Sequence, residues 1–439
     1  MKTIVLLGVG STYFTRGIIE SLLQKGGEWN VRLVDIDPEC LEIAVLLARK
    51  LVERYGAQKS VKISGSIDRI DMLPDADAVV STIGVGGRKA WEKDVIIFRQ
   101  FNIYQSTGDT YGAGGLSRAL RTIPVLVDVA NDIESLCPDA LFINFTNPMT
   151  VNVWAIAQET GINIAGLCYG VTYYEHYLAQ LIHKPWADVS CRAVGVNHFT
   201  WITDFRYKDQ DAWPLVREQL NMNPEDPEYK THTWELFRMF DAFPCVGDGH
   251  ICEFIPGWQG KGAYYGKTFG MDAGHGSFEA YAAGFDRVYE EMAALANGSK
   301  PITMRKDDPS SVAFRDEDLF IDVLNAYMGQ DTIMRTVNLP NRGQVSNLPL
   351  GAVLEATTLI SGTGFDPLCF GNLPPGITAI LMRILGTQAL TVQAALQADR
   401  KLAVQALVAG ETVRTEAEAE RVMDVILDTH RAYLPQFFE

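Results

Sequence analysis

The stretch TIVLLGVGSTYF, residues 3–14, decides the fold. Its first six residues form a continuous apolar run, which is typical of a strand covered on both faces. The run ends in the glycine-rich turn GVGSTYF, and the next segment, FTRGIIESLLQ (14–24), has its apolar residues at helical spacing. The opening of the chain therefore predicts a buried strand, a tight glycine turn and a helix.

The alternation of strand and helix continues along the first half of the chain. Further strands are predicted at 31–35, 77–83, 140–145 and 162–167, with helical patterns between them. Such alternation is typical of an α/β fold, a Rossmann-type doubly wound parallel sheet. We therefore predict that residues 1–190 form one domain.

The pattern changes after residue 190. CRAVGVNHFTWITDFRY (191–207) predicts one or two strands, and loops rich in Gly, Trp and Tyr follow at 243–275. Helical patterns occupy 276–297, 376–409 and 414–433. We predict a second, mixed α+β domain over residues 191–439, which would hold the substrate and metal and form the oligomer contacts.

Composition limits the possible partners. The 439 residues carry a net charge of -16, which argues against nucleic acid or an anionic membrane surface as a partner. The seven cysteines are scattered without CxxC pairs, which favours a reducing compartment over a disulfide scaffold. The apolar start is too short and too soon interrupted for a signal peptide, and no long apolar run predicts a membrane span. We expect a cytoplasmic protein.

The glycine turn has the features of a dinucleotide site. Gly8 permits a tight turn, and Gly10, followed by Ser11, lets the backbone approach a pyrophosphate at a helix N-terminus. Asp35 ends the second strand, where a carboxylate can accept hydrogen bonds from a ribose and would repel a 2′-phosphate. These residues predict NAD as cofactor. The alternative is a structural turn beside an exposed aspartate.

Two further segments extend this prediction. DADAVVSTIGVGG (75–87) resembles the fourth strand and turn of lactate and malate dehydrogenases, which would place Gly84 beside the cofactor. Cys168, in GLCYGV (166–171), follows a predicted strand at the edge where open α/β sheets bind ligands. Its thiol could be packing, a nucleophile or a metal ligand.

His198, in GVNHFTW (195–201), is the natural partner for that thiol. The pattern places it in the middle of a strand beside Asn197, where a core histidine that hydrogen-bonds locally is the alternative. A thiolate and an imidazole with open positions suit a divalent transition metal that holds substrate oxygens. Spacing alone leaves open whether the two residues meet.

Several motifs occur together, in order along the chain: STGDTYGAGG (106–115), INFTNPMTV (143–151), GLCYGV, GVNHFTWIT (195–203) and VNLPNRGQVSNLP (337–349). As a set, they resemble the family 4 glycoside hydrolases. The resemblance runs from the first strand to about residue 383. NIYQSTGDT (102–110) and VGDGHICEFIPG (246–257) look most like the branch that contains α-galacturonidases and α-glucuronidases.

The resemblance implies a lactate and malate dehydrogenase-like fold and an unusual hydrolysis. The hydrolysis implied by the resemblance uses NAD and a divalent metal, commonly Mn²⁺. Hydride passes from C3 of the sugar to NAD, a base removes the C2 proton, the C1 group is eliminated, water adds and hydride returns. The metal would hold the O2 and O3 oxygens as a Lewis acid.

The resemblance also implies roles for individual residues. Cys168 and His198 match metal ligands, and Asn147 matches a sugar-hydroxyl binder next to the metal. Asp109 matches an acidic position by the nicotinamide ribose and substrate, and Asn197 is a further candidate for substrate binding. The turn residues Gly8, Gly10 and Ser11, with Asp35, match the cofactor site. Asp248 falls where the family carries its C2 base, and His250 could bind substrate or pass a proton to the leaving group. The alternative for these last two is a solvated glycine-rich loop.

One position departs from the family pattern. Relatives place His or Asp directly after the metal-binding Cys as a candidate proton donor, whereas this chain has Tyr169. A tyrosine, with a pKa of about 10, is a poor acid at neutral pH. The donor could be His250, the leaving group could need little help, the glycoside could be unusual, or hydrolysis could be lost.

The substrate expected from this resemblance is a uronide, which needs a cation near C6. Arg88, Lys89 and Arg342 are the loop candidates for that cation. The alternatives are an α-glucosidase or α-galactosidase of the same family, a 2-hydroxy-acid dehydrogenase of the same fold, and a non-catalytic NAD-sensing protein. The resemblance also implies a homodimer or homotetramer.

Overall fold

A computed structural model of the chain describes residues 1–11, 14–222, 231–261, 278–302 and 316–438. Residues 262–275 of the predicted loop segment 243–275, and residues 276 and 277 of the helix predicted at 276–297, lie outside this part. The elements of the first half are β1 (Lys2–Leu7), α1 (Phe14–Lys25), β2 (Trp29–Val34), α2 (Pro38–Arg54), β3 (Val61–Ser66), β4 (Ala78–Ser81), α3 (Gly87–Ile96), α4 (Gly112–Leu136), β5 (Leu141–Asn144), α5 (Met149–Glu159), β6 (Asn163–Gly166) and α6 (Gly170–Leu181).

The elements of the second half are β7 (Val189–Val196), β8 (Phe199–Tyr207), β9 (Gln210–Asp211), α7 (Trp213–Met222), α8 (Thr231–Phe240), β10 (Phe243–Cys245), α9 (Asp248–Ile251), α10 (Phe278–Asn297), α11 (Asp316–Tyr327), β11 (Ile333–Pro340), β12 (Val353–Ser361), β13 (Gly364–Pro367), α12 (Pro375–Gln397), α13 (Arg400–Ala409) and α14 (Glu416–Thr429). Short 3₁₀ helices lie at Arg69–Asp71, Ile97–Phe101, Trp186–Asp188, Cys252–Phe254, Arg431–Tyr433 and Pro435–Phe437.

The first six strands form a parallel sheet in the order β3-β2-β1-β4-β5-β6. This is the doubly wound order in which ligands bind beyond the carboxyl ends of the strands. The register aligns Leu7, Val34, Ser81, Asn144 and Gly166 across neighbouring strands. The segments that follow these residues therefore share one edge of the sheet.

The alternation of side chains along β1 explains why its sequence is apolar throughout. Ile4 and Leu6 pack into a core with α1 and α2 on one face, whereas Val5 and Leu7 pack into a core with α4 and α5 on the other. Side chains of a strand point alternately to its two faces, so a strand covered on both sides needs apolar residues at every position.

The sheet continues from the first half of the chain into the second. Asn338 of β11 pairs with Gly166 of β6, and the order then runs β11-β12-β7-β8-β10 with antiparallel pairing. Together with β9 and β13, the strands of the described residues make a 13-stranded sheet. The antiparallel strands bring the second half of the chain against the ligand-binding edge.

Two helical predictions near the C-terminus differ from the structure. The pattern at 376–409 contains two helices, α12 and α13, because Ala398 takes a left-handed conformation (φ 52°) and the Asp399 carboxylate caps the start of α13. The last helix ends at Thr429 and not at residue 433.

Among the helices that the structure describes, one, α12, is long and apolar enough to match a membrane span by length and composition. Half of the residues in that apolar window are buried inside the molecule, where α12 packs against α4, α5 and α13. A core helix of a globular protein has the same properties.

Candidate active site

The β1–α1 turn packs directly on the loop that follows β4. Gly8 has a left-handed φ of +85°, and a Cβ atom there would lie 2.9 Å from the Ile83 backbone. Only glycine combines this conformation with so close an approach. This close approach shows that the two predicted glycine segments come together. Gly84 follows Ile83 in the second segment and is exposed.

Asp35 closes the same turn from β2. Its Oδ2 accepts a hydrogen bond from Gly10 N at 2.7 Å, and its Oδ1 accepts one from Asp37 N at 3.0 Å. Ser11 N donates to Gly8 O at 3.1 Å, while Thr12 and Tyr13 lie outside the described residues. A carboxylate has about four acceptor positions, so Asp35 can still accept from ribose hydroxyls. The turn fits a dinucleotide with an unphosphorylated ribose.

A second group of polar residues forms at the start of α4. Asp109 is buried, and its Oδ1 accepts a hydrogen bond from Thr110 Oγ1 at 2.7 Å while its Oδ2 accepts one from Asn147 Nδ2 at 2.9 Å. Thr110 Oγ1 also lies 2.8 Å from His198 Nδ1. The loop before α4, the end of β5 and the β7–β8 hairpin therefore meet at one point.

His198 lies in a hairpin turn, which corrects the prediction that it lies in the middle of a strand. Asn197 and His198 are the two residues between β7 and β8, and His198 has a left-handed φ of 67°. Residues 191–207 therefore form two strands joined by a tight turn. The apolar residues on both sides hid this turn, because both strands are buried.

The proton arrangement on His198 follows from its contacts. The Thr110 hydroxyl has one proton, which it donates to the Asp109 carboxylate, so its oxygen accepts from His198 Nδ1–H. This tautomer leaves the lone pair on Nε2. Burial, reinforced by His250 and opposed by Asp109, lowers the pKa of His198 to about 3. The imidazole is therefore neutral at neutral pH.

His250 lies in the short helix α9, where the sequence predicted a loop, and it completes a trio. Its ring centroid lies 4.0 Å from that of His198, and ligand atoms of Asp109, His198 and His250 all lie within 4.8 Å of one another. Two imidazoles and a carboxylate are ligands that suit a divalent transition metal. The donor set therefore fits such an ion, with Asp109, His198 and His250 as its candidate ligands.

Arg118 supplies the positive charge beside the trio. Its Nε donates to the Asn147 carbonyl oxygen at 3.0 Å. Burial alone would raise the pKa of Asp109, but His250, His198 and Arg118 hold it below its ordinary value. The carboxylate is therefore ionised at neutral pH.

Cys168 and Tyr169 lie at the same edge but outside this trio. Cys168 follows β6, and its Sγ accepts a hydrogen bond from Gly170 N at 3.4 Å. Tyr169 precedes α6, with its ring 6.3 Å from that of Tyr173. The structure thus places the thiol at the predicted strand end, while the cluster of metal-ligand atoms is formed by other residues.

Asp248 has a different environment from the one expected of a proton-abstracting base. Its Oδ1 accepts from Thr233 N at 2.8 Å and from Thr233 Oγ1 at 2.7 Å, and its Oδ2 accepts from His232 N at 3.0 Å. These contacts tie α9 to the first turn of α8.

Asn197, the predicted substrate-binding residue of the β7–β8 turn, is fully buried, and its backbone N–H donates to Thr150 Oγ1 at 3.3 Å.

Sequence comparison identifies the family. The profile described as "Family 4 glycosyl hydrolase" matches residues 3–184, and that of its C-terminal domain matches residues 193–413. The chain belongs to the family 4 glycosyl hydrolases. The predicted family, the Rossmann-type fold with a second mixed region, and the assignment as a glycosidase are all confirmed.

Individual relatives of this family 4 hydrolase have different substrates in their names. An α-galacturonidase of Thermoanaerobacterium saccharolyticum is 29% identical over 98% of this chain and 96% of its own length. An α-galactosidase of Bacillus subtilis is 27% identical over 100% of both chains. A 6-phospho-α-glucosidase from gut microorganisms, solved in complex with NAD and Mn²⁺, superposes with a TM-score of 0.84 over 98% of each chain at 18% identity, a likeness of fold.

The hydrolase also contains a site residue that sequence reasoning missed. Glu253 is fully buried, and its Oε1 accepts hydrogen bonds from Thr107 N at 2.9 Å and Gly108 N at 2.6 Å. Burial, reinforced by Asp109, raises the pKa of Glu253 to about 8. Glu253 holds the loop that carries Asp109. A carboxylate inside the apolar segment ICEFIP was the available signal.

Of the three cations predicted to lie in loops, Arg88 and Lys89 lie in the first turn of α3, which corrects that prediction. Arg88 pairs with Glu92 at 2.8 Å and with Asp286 at 2.6 Å, and Lys89 and Arg342 are exposed. Arg118 and Thr110 were both missed. Their position could be anticipated only from the glycine-rich run GAGG, which opens α4 next to Asp109.

Proposed function

We propose that this family 4 hydrolase is an NAD- and divalent-metal-dependent α-glycosidase that acts on uronides, as an α-galacturonidase or α-glucuronidase. The Asp109–His198–His250 trio at the edge that also carries the Gly8–Gly10 turn supports the proposal most directly. The name of the α-galacturonidase relative supports the uronide. A neutral α-galactoside is the second candidate, which the α-galactosidase relative favours.

The bound groups would supply chemistry that no side chain here provides: reversible hydride uptake at C3 by NAD, and polarisation of sugar oxygens by the metal. The protein's own residues bind and orient. His198 presents a neutral imidazole, Thr110 fixes its tautomer, and Asn147 lies within reach of a sugar hydroxyl beside Asp109. Asp35, Gly8, Gly10, Ser11 and Gly84 would hold the cofactor.

The remaining assignments are part of the same proposal. Cys168 is a further metal ligand with His198, and Asp248 is the C2 base. Tyr169 or His250 assists departure of the leaving group. Asn197 lies near the substrate. Residues 1–190 form the NAD-binding unit and residues 191–439 the substrate, metal and oligomer unit of a cytoplasmic homodimer or homotetramer. The hydrogen bonds that Asp248 makes to α8 would have to loosen for it to act as a base.

A panel of nitrophenyl α-glycosides with NAD and Mn²⁺ tests the proposal. The panel holds the galacturonide, glucuronide, galactoside, glucoside and 6-phosphates. We expect uronide turnover without net NADH and solvent deuterium at C2 of the product. Net NADH from a 2-hydroxy acid, with no glycoside cleaved, would instead establish the dehydrogenase alternative, and binding of NAD without any turnover would favour the NAD-sensing one.

A further inference from the structure

Arg118 differs from the other arginine of its helix. Arg121, one turn further along α4, is fully buried and donates to both carboxylate oxygens of Asp94, at 2.9 and 2.5 Å. Arg118 uses only its Nε, which donates to the Asn147 carbonyl. Within the described ranges, its two terminal nitrogens make no hydrogen bond and no ion pair. The guanidinium of Arg121 is therefore structural, whereas that of Arg118 has free donors.

The surroundings of Arg118 are poor in water. Burial lowers the pKa of Arg118, and although Asp109 opposes this effect, neither oxygen of that carboxylate bonds to the guanidinium. A partly desolvated cation without a bonded counter-ion is costly, and an anionic partner would offset the cost. The half-buried side chain is still accessible from one side, so a ligand can supply that partner.

The position of the free donors matches the candidate site. Asn147 accepts from Arg118 through its carbonyl and donates to Asp109 through its side chain, so the guanidinium lies one residue from the trio. The charge of Arg118 lowers the pKa of the Asp109 carboxyl, which places the guanidinium near any sugar that the trio would hold. The planar fork of arginine binds a carboxylate through two parallel hydrogen bonds.

We propose that Arg118 recognises the substrate carboxylate and so determines the preference for a uronide. The inference rests on the proposed glycosidase function and names its specificity residue. A single guanidinium near one aspartate matches the single negative charge of a carboxylate better than a phosphate dianion, which needs more cations. Arg88, Lys89 and Arg342 are not required for this role, because the first is paired and the others are exposed.

The test compares Arg118→Gln and Arg118→Lys with the control Arg342→Gln, which removes the same charge from an exposed loop. The probes are 4-nitrophenyl α-galacturonide and α-galactoside, with NAD and Mn²⁺ present. We expect the ratio of kcat/KM for uronide over neutral glycoside to fall by about 100-fold in Arg118→Gln, because a site built to bind a polar group discriminates strongly against its absence. Arg118→Lys should keep part of the ratio, and Arg342→Gln all of it.

Two further measurements separate the possible failures. NAD affinity and the melting temperature of Arg118→Gln show whether the variant is folded, and binding of free galacturonate against galactose reports recognition without turnover. An unchanged uronide preference in folded Arg118→Gln overturns the inference and leaves the glycosidase intact. Wild-type preference for a 6-phosphate also overturns it. If no glycoside is turned over, the proposed function fails, and weaker galacturonate binding by Arg118→Gln would still support the arginine's role.

Discussion

The Thr110 hydroxyl oxygen lies 2.8 Å from His198 Nδ1 and donates its only proton to Asp109. One short side chain therefore orients an imidazole and a carboxylate of the same candidate metal site. Partners of this kind fix the tautomer of a ligating histidine, and their loss typically lowers metal affinity by about 10–100-fold.

We therefore expect Thr110→Val to bind Mn²⁺ about 10–100-fold more weakly than the wild type. Valine has a similar shape but neither donates nor accepts, so His198 loses its orientation. Thr110→Ser keeps the hydroxyl and should restore most of the affinity. Calorimetric titration of the metal-free protein with Mn²⁺ measures both variants. Equal affinity in Thr110→Val and the wild type would contradict the role of this hydroxyl.

Metal dependence can be assigned to individual residues. We expect chelation to abolish activity, and His198→Ala and Cys168→Ser each to lose bound Mn²⁺, since both are proposed as ligands. Cys369→Ser is the matched control, because Cys369 is an exposed free thiol. Metal content after gel filtration is the measurement. Full metal in Cys168→Ser would remove the thiol from the ligand set and leave Asp109, His198 and His250.

The cofactor preference should depend on Asp35. Asp35→Asn keeps an oxygen that can accept from Gly10 N but loses the charge that disfavours a 2′-phosphate. We expect NAD to bind about tenfold more weakly, at a cost near 1.4 kcal/mol, and the preference over NADP to shrink. Asp37→Asn, which removes the same charge and can still cap α2, should leave both affinities unchanged. Fluorescence titrations with each dinucleotide decide between these outcomes.

A buried ion cluster behind the site should contribute to stability. Asp94 accepts hydrogen bonds from Arg121 and Ser117, and His430 Nε2 lies 2.9 Å from its Oδ1. Asp94→Ala would leave Arg121 buried without its counter-ion, which typically costs about 3–5 kcal/mol of unfolding free energy. Asp128→Ala breaks an exposed pair with Arg69 and should cost at most about 1 kcal/mol. Urea unfolding of both variants provides the comparison.

Much of the fold could be predicted from sequence because local pattern and burial agree. The apolar run of β1, the glycine turn and Asp35 are close in sequence and lie where a parallel sheet requires them. The trio could not be assembled in the same way. Asp109, His198 and His250 come from three separate segments, which meet because β11 joins β6 and brings the β7–β8 hairpin to the carboxyl edge of the sheet.

Contacts that depend on the direction of a side chain could not be predicted from the sequence either. Asp248 begins the short helix α9 inside the segment predicted as a loop, and its carboxylate accepts hydrogen bonds from N–H groups of α8. Arg118 and Arg121 have the same chemistry and the same helix, but only one meets Asp94. Periodicity gives the face of a helix, whereas the partner on that face depends on the packing of distant elements.

Glu355 provides a test of buried electrostatics beneath the site. It is fully buried in β12, hydrogen-bonds Thr200 Oγ1 and lies 3.3 Å from Asn338 Nδ2. Burial raises its pKa from 4.5 to about 7, against the opposing effect of Thr200, Asn197 and Asn338. The folded protein therefore binds a proton that the unfolded chain has released between these two pH values.

The sign of the pH dependence follows. The contribution of Glu355 to the free energy of unfolding is fully present below pH 4.5 and is lost as the pH rises through about 7. At about 1.4 kcal/mol per pH unit, the loss is on the order of 3 kcal/mol by pH 8. Glu355→Gln has the same shape and does not titrate, so its stability relative to the wild type should increase between pH 5 and pH 8. Urea unfolding at both pH values measures this difference, and a constant difference would show that Glu355 does not titrate in this range.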